Sequence, residues 1–172
     1  MKVRLETERL ILRPFTIDDA FDMFNGWACD DEVTKYLTWN THDSIETTKQ
    51  IINMWIEQYK KPERINFAFE LKSEDKLIGG IDVVGYIDKI PVIGYVLSRE
   101  YWGFGYMTEA CKKVIEFLFS LGYDTVRIDA FFDNIASNKV IKKCGGLYID
   151  TYEEFLPQKN KKVKINRYLI NK

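Results

Sequence analysis

From residue 65 the chain repeats every two positions. Ile65, Phe67, Phe69 and Leu71 alternate with other residues, the mark of a strand with one wet face. The polar turn Ser73-Glu74-Asp75-Lys76 leads to a second strand, from Leu77 to about Tyr86, and Asp88-Lys89 separates that from a third ending at Leu97. Connections this short exclude a parallel crossover, so the three strands form an antiparallel meander. Ahead of them, Leu10 to Phe15 is a short strand stopped by its proline, and capping residues follow from Thr16 to Asp19. Ile17, Ala20, Phe21, Phe24 and Trp27 then recur at helical spacing. A second helix begins near Asp43, where Glu46 completes a capping-box-like pair. Ile52, Trp55, Ile56 and Tyr59 form its apolar face, and Pro62 lies beyond its end.

After the meander the period becomes helical again, from about Gly105 to Leu121, and Gly122 supplies the stop. Met107, Ala110, Cys111, Val114, Leu118 and Leu121 make the buried stripe, with Glu109 and Lys113 facing solvent. Val126, Ile128, Ala130 and Phe132 alternate in a further strand. A shorter helix follows, capped by Asn134 and stopped by Gly145-Gly146. Strands near Leu147–Phe155 and Val163–Ile170 close the chain as a hairpin. Strand–helix–strand order makes the Leu97 and Val126 strands parallel. The pattern predicts one mixed α/β (α+β) domain over residues 1–172, with about seven mostly antiparallel strands and four helices.

The junction between the meander and the long helix carries the first chemical signal. Gly103 and Gly105 let the backbone turn tightly and approach a ligand with no Cβ in the way. The helix start just beyond leaves N–H groups without internal partners, at the positive end of the dipole. Together they make a cradle for a phosphate or pyrophosphate. A tight turn that only reverses the chain explains the same residues equally well.

Composition narrows the classes. The net charge of −1 gives no field that draws nucleic acid or anionic lipid. Lys159, Lys161, Lys162 and Lys164 form the one basic cluster, which a solvated turn explains. Cys29, Cys111 and Cys144 are widely spaced and His42 is the single histidine, so no metal site is expected. Residues 1–6 lack the apolar core of a signal peptide, and no uncharged apolar run approaches the ~20 residues that span a bilayer. A cytoplasmic protein is expected.

The order of elements resembles the GCN5-related N-acetyltransferases (GNAT superfamily), and within it the RimJ/RimL-type branch that acetylates ribosomal-protein N-termini. Four stretches carry the resemblance: Thr7-Glu8-Arg9-Leu10-Ile11-Leu12-Arg13-Pro14, Ile93-Gly94-Tyr95-Val96-Leu97, Tyr101 through Ala110, and Asn134-Ile135-Ala136-Ser137 with Lys143-Cys144-Gly145. It implies a sheet splayed between the fourth and fifth strands, with acetyl-CoA as co-substrate. The backbone of Gly103, Phe104, Gly105, Tyr106, Met107 and Thr108 would hold the pyrophosphate. The pantetheine arm would lie along Tyr95, Val96 and Leu97 and meet the Asn134 side chain.

The implied reaction is attack of a neutral amine on the thioester. Val96 N–H would stabilise the oxyanion and Ser137 would protonate the thiolate. Glu154 matches a late glutamate base, with Asp82 a lesser candidate. A plain helix cap at Asn134, a first-turn residue at Ser137 and a solvent-facing acid at Glu154 explain these positions without catalysis. The chain departs from the family at Glu100, Val92, Ile141 and Gly146, where relatives often carry Gln or Arg, an acid, a tyrosine acid and Phe. A non-catalytic acyl-CoA sensor is therefore the alternative to an enzyme. A dinucleotide site is disfavoured, since Thr108 stands where its third glycine belongs. The acceptor is expected to be a protein N-terminus or a small cationic amine, and the chain a monomer or homodimer.

Overall fold

The computed structural model describes residues 3–61 and 64–172, so Pro62 lies outside the described residues. In chain order the strands are β1 (Leu5–Glu6), β2 (Leu10–Arg13), β3 (Asn66–Leu71), β4 (Lys76–Ile87), β5 (Ile90–Leu97), β6 (Thr125–Phe131), β7 (Leu147–Leu156) and β8 (Lys161–Asn171). The helices are α1 (Ala20–Met23), α2 (Asp31–Thr34), α3 (Ile45–Gln58), α4 (Tyr106–Ser120) and α5 (Ile135–Lys143). Within the described residues the strands form one sheet of eight, ordered β1-β2-β3-β4-β5-β6-β8-β7. All neighbours are antiparallel except β5 and β6, which run parallel and are joined through α4. The seven expected strands are all present. The eighth, β1, is two residues long, too short for any alternation to show.

Each face of the sheet is covered, which corrects the wet face expected of β3. Phe67 and Phe69 join the core under α4, while Ala68, fully buried, points to the opposite core with Phe15, Trp27 and Ile52. A period-two pattern marks a strand, but it does not say whether the second face meets water or a helix. The segment before α2 departs from its expected helical face for a different reason. A 3-10 turn (Ile17–Asp19), α1 and a π turn (Phe24–Ala28) follow one another, so the rotation per residue changes twice. Ala20, Met23, Trp27 and Ala28 are buried in consequence, while Ile17 and Phe21 are exposed. Helix α3 begins one residue later than expected, with Ser44 as the cap accepting from Thr47 N–H; Glu46 pairs with Lys49 instead.

The expected solvated lysine turn is also partly enlisted. Lys159 Nζ donates to the Thr34 carbonyl at 2.6 Å, and Asn40 Nδ2 donates to the Gln158 carbonyl at 2.9 Å. These bonds latch the end of α2 and the segment after it to the turn between β7 and β8.

Candidate active site

Strands β5 and β6 hold register at only two pairs, Val92 with Arg127 and Ile93 with Ile128. Beyond Ile93 they part, and Gly94 to Leu97 have no β6 partner. Which main-chain groups face the opening follows from alternation on the other edge of β5. Ser98 N–H donates to the Ile78 carbonyl, and the same register continues through Leu97, Val96, Tyr95 and Gly94 against Gly79, Gly80, Ile81 and Asp82. Hydrogen-bonded pairs alternate along an antiparallel ladder, so the N–H of Val96 points at Gly80. The groups turned toward the opening are those of Tyr95 and Leu97. Val96 N–H, the expected oxyanion donor, therefore faces β4, and the N–H of Tyr95 faces the opening. Trp102 Nε1 donates to the Leu97 carbonyl at 2.8 Å, leaving Leu97 N–H on the same side.

The loop after β5 ends in two left-handed glycines, Gly103 at φ +87° and Gly105 at φ +84°. A Cβ at Gly103 would meet nothing within 4 Å, so conformation rather than crowding requires glycine there. The first α4 bond runs from Glu109 N–H to the Gly105 carbonyl, which leaves Tyr106, Met107 and Thr108 N–H groups without intrahelical partners. Phe104 is exposed and Met107 buried in the core, so Met107 offers the opening its backbone alone.

Glu109 is not solvent-facing, contrary to the helical pattern. It accepts from Thr7 Oγ1 at 2.5 Å, from Arg9 N–H at 2.9 Å and from Arg9 Nε at 2.7 Å. Arg9 Nη1 donates onward to the Phe104 carbonyl at 3.0 Å, and its guanidinium lies 4.3 Å from the Tyr106 ring centre. One arginine thus holds the carbonyl between the two glycines, and Glu109 holds the arginine. Burial pushes the Glu109 carboxyl up, but the bonds from Thr7 and Arg9 outweigh it and hold the group below the usual carboxylate range. Such a group adds stability above its unfolded pKa of 4.5, which is lost as pH falls through the lower native value. Glu109→Gln is expected to cost about 1–3 kcal/mol at pH 7 and less near pH 4, measured by urea unfolding.

Helix α5 is held by its buried face. Asn134 caps it, its Oδ1 accepting from Ser137 N–H at 3.1 Å. Asn138, one residue further, is buried and fully satisfied. Its Nδ2 donates to the Phe131 and Asn134 carbonyls, and its Oδ1 accepts from Asn166 Nδ2 at 2.8 Å and Tyr168 Oη at 2.7 Å. Ser137 consequently faces β5, where its Oγ lies 2.8 Å from Tyr95 Oη.

Glu154 is exposed on β7, paired with Val163. Side chains at Val163, Ile165 and Arg167 alternate with Asn166 and Tyr168, which meet α5, so Glu154 and Ser137 lie on opposite faces of the sheet. The Glu154 face also carries Arg127 forked onto Asp129, with Tyr152 Oη 3.0 Å from Asp129 Oδ2. Burial and the neighbouring carboxylate push the Tyr152 phenol up to about 12. Asp82, on β4, lies four strands from Glu154 and is gripped by Arg64 at 2.6 and 2.9 Å. Both its oxygens are engaged by Arg64, while burial pushes its carboxyl up. Tyr36 and Tyr152 pack around Phe131, Leu156 and Ile165, whereas Trp27 and Trp55 belong to the core.

Three of the four departures from the family pattern, at Glu100, Ile141 and Gly146, have physical accounts here. Glu100 turns to Lys76 at 2.8 Å. Ile141 is fully buried, and a Cβ at Gly146 would stand 2.5 Å from its Cγ2 and 2.9 Å from its carbonyl, so these two positions compensate one another. Sequence reasoning missed Arg9, Glu109, Asn138 and the Arg127–Asp129 fork. Arg9, Glu109 and Asn138 act through partners far along the chain, which spacing cannot signal.

Residues 9–146 match the family described as "Acetyltransferase (GNAT) domain". The uncharacterised N-acetyltransferase YoaA of Bacillus subtilis (strain 168) is 32% identical over 171 residues, covering 98% of this chain and 96% of that protein. Among solved structures, a putative ribosomal-protein-serine acetyltransferase from Vibrio cholerae superposes with a TM-score of 0.86 at 21% identity, over 99% of this chain and 98% of that one. The microcin C7 self-immunity acetyltransferase MccE, solved with acetyl-CoA and AMP, gives a TM-score of 0.84 at 18% identity, over 96% and 94%.

Proposed function

Since the chain belongs to the acetyltransferase (GNAT) family and is an acetyl-CoA-dependent N-acetyltransferase, we propose that the parted β5 and β6 take its acetyl donor and that a primary amine enters from the opposite face. One observation carries this: two left-handed glycines open onto the free N–H groups of α4 beside a strand edge without a partner. The fit to the donor is specific. The main chain of residues 103–108 suits a diphosphate, and an amide-rich arm suits the Tyr95 and Leu97 edge. Asn134, whose Oδ1 caps α5, and Ser137, whose Oγ meets Tyr95 of β5, come from the helix that follows β6.

An α-amine titrates near ~7.7–8.0, so a large share is already neutral at working pH and a base has little to do. Positioning and the Tyr95 N–H then carry most of the rate, with Ser137 facing the departing thiolate and exposed Glu154 taking the amine's proton to solvent. The proposed acceptor is a protein N-terminus or a small cationic amine; the name of the Vibrio cholerae neighbour, a putative ribosomal-protein-serine acetyltransferase, supports the protein acceptor. Three free cysteines suit a reducing compartment, and we place the protein in the cytoplasm as a monomer or homodimer.

The test is a thiol-release assay with acetyl-CoA against peptides beginning with Ala, Ser or Met, polyamines and amino acids. Turnover with one class is expected. Glu154→Gln should slow it about tenfold with coenzyme affinity unchanged. Tight coenzyme A binding with no thiol release from any amine would favour the sensor alternative.

A further inference from the structure

The Tyr95 phenol spans the opening from β5 to α5. Its Oη lies 2.8 Å from Ser137 Oγ and 3.3 Å from the Ser137 carbonyl oxygen. At 3.3 Å the carbonyl contact is long for an O–H···O bond, so the single phenol hydrogen is directed at the 2.8 Å contact with Oγ, and a phenol is the stronger donor of the two hydroxyls. We propose that Tyr95 is a positioning residue for Ser137: it donates to Ser137 Oγ and so leaves the serine's own hydrogen free to point into the opening, at the sulfur of bound coenzyme A. This rests on the acetyl-donor site assigned above.

Three features support the arrangement. Ile141, fully buried, cannot supply a phenol from α5, so among the described residues the phenol that reaches Ser137 comes from β5. Asn134 and the four bonds of Asn138 fix the first turn of α5, so Ser137 cannot drift from Tyr95. Burial also pushes the Tyr95 phenol up, keeping its proton in place at every working pH. Because the bonds are to the side chain and backbone of one residue, losing the Tyr95 hydroxyl frees Ser137 to rotate without unpacking the ring.

The experiment reads the thiol of coenzyme A in its binary complex with the protein, by the ultraviolet absorbance of the thiolate across pH. In the wild type the acid ionisation constant of the bound thiol should be about tenfold larger than in free coenzyme A, one pKa unit. Ser137→Ala should remove that gain. Tyr95→Phe should remove the same gain, and the double variant should lose no more than either alone, because both act on one hydrogen bond. Calorimetry should give coenzyme A dissociation constants within about twofold of wild type for all three. A wild-type titration in Tyr95→Phe, or losses that multiply in the double variant, would overturn the proposal. A wild type that binds no coenzyme A would instead show in the calorimetry and sink the donor site and this role together.

Discussion

Gly105→Val is expected to weaken coenzyme A binding at least about 100-fold while leaving the fold intact. Gly105 is the N-cap of α4 at φ +84° and ψ 0°, a conformation in which a β-branched residue is a genuine outlier. The strain is on the order of 1–2 kcal/mol, small against the whole fold, and the position is exposed, so nothing packs against the new side chain from the core. The chain relieves the strain by rotating the Gly105 peptide. That rotation re-aims the N–H groups of Tyr106 to Thr108 and moves the Phe104 carbonyl off Arg9. Each N–H to phosphate bond contributes roughly 1.5–3 kcal/mol, so losing two accounts for about two orders of magnitude. Calorimetry supplies the dissociation constant and thermal unfolding the control. Unchanged affinity in a folded variant would place the diphosphate elsewhere.

How much of this was legible beforehand depends on how far apart the responsible residues stand. The glycine pair announces its turn within three positions, and both glycines do adopt positive φ. The meander and the closing hairpin were legible because alternation and short connections are local signals. By contrast, the π turn at Phe24–Ala28 cannot be seen in a 3.6-residue pattern, and that pattern placed Ile17 and Phe21 in the core. The wrong exposure of Glu109 has the same root: its partners Thr7 and Arg9 come from 100 or more positions away. Val96 illustrates a finer limit. Its strand was recognisable, yet which edge its N–H faces depends on a register set by Ser98 and Ile78, a pairing no single stretch records. Distances between named side chains, on which any catalytic role rests, come from the folded sheet alone.

The largest effect on stability is expected at Arg64→Ala, about 3–5 kcal/mol at pH 7 by chemical unfolding. Arg64 and Asp82 form a two-point pair with side chains 14% and 23% exposed, so neither charge is well solvated. Removing the arginine leaves the carboxylate in that setting with its partner gone. The pH dependence has a definite sign. Burial already pushes the Asp82 carboxyl above its unfolded 3.8, with the coulombic pull of Arg64 opposing. A carboxyl raised in this way contributes stability below its unfolded value and loses it as pH rises through its native one. Without Arg64 the native value climbs further, so the deficit of the variant should shrink as pH falls from 7 toward 5. Asp82→Asn in the Arg64→Ala background should recover part of the loss at pH 7, because the neutral amide has no charge to strand. A deficit that is flat with pH, or an Arg64→Ala, Asp82→Asn double variant weaker than the single one, would mean that the arginine stabilises by packing its stem rather than by holding the acid.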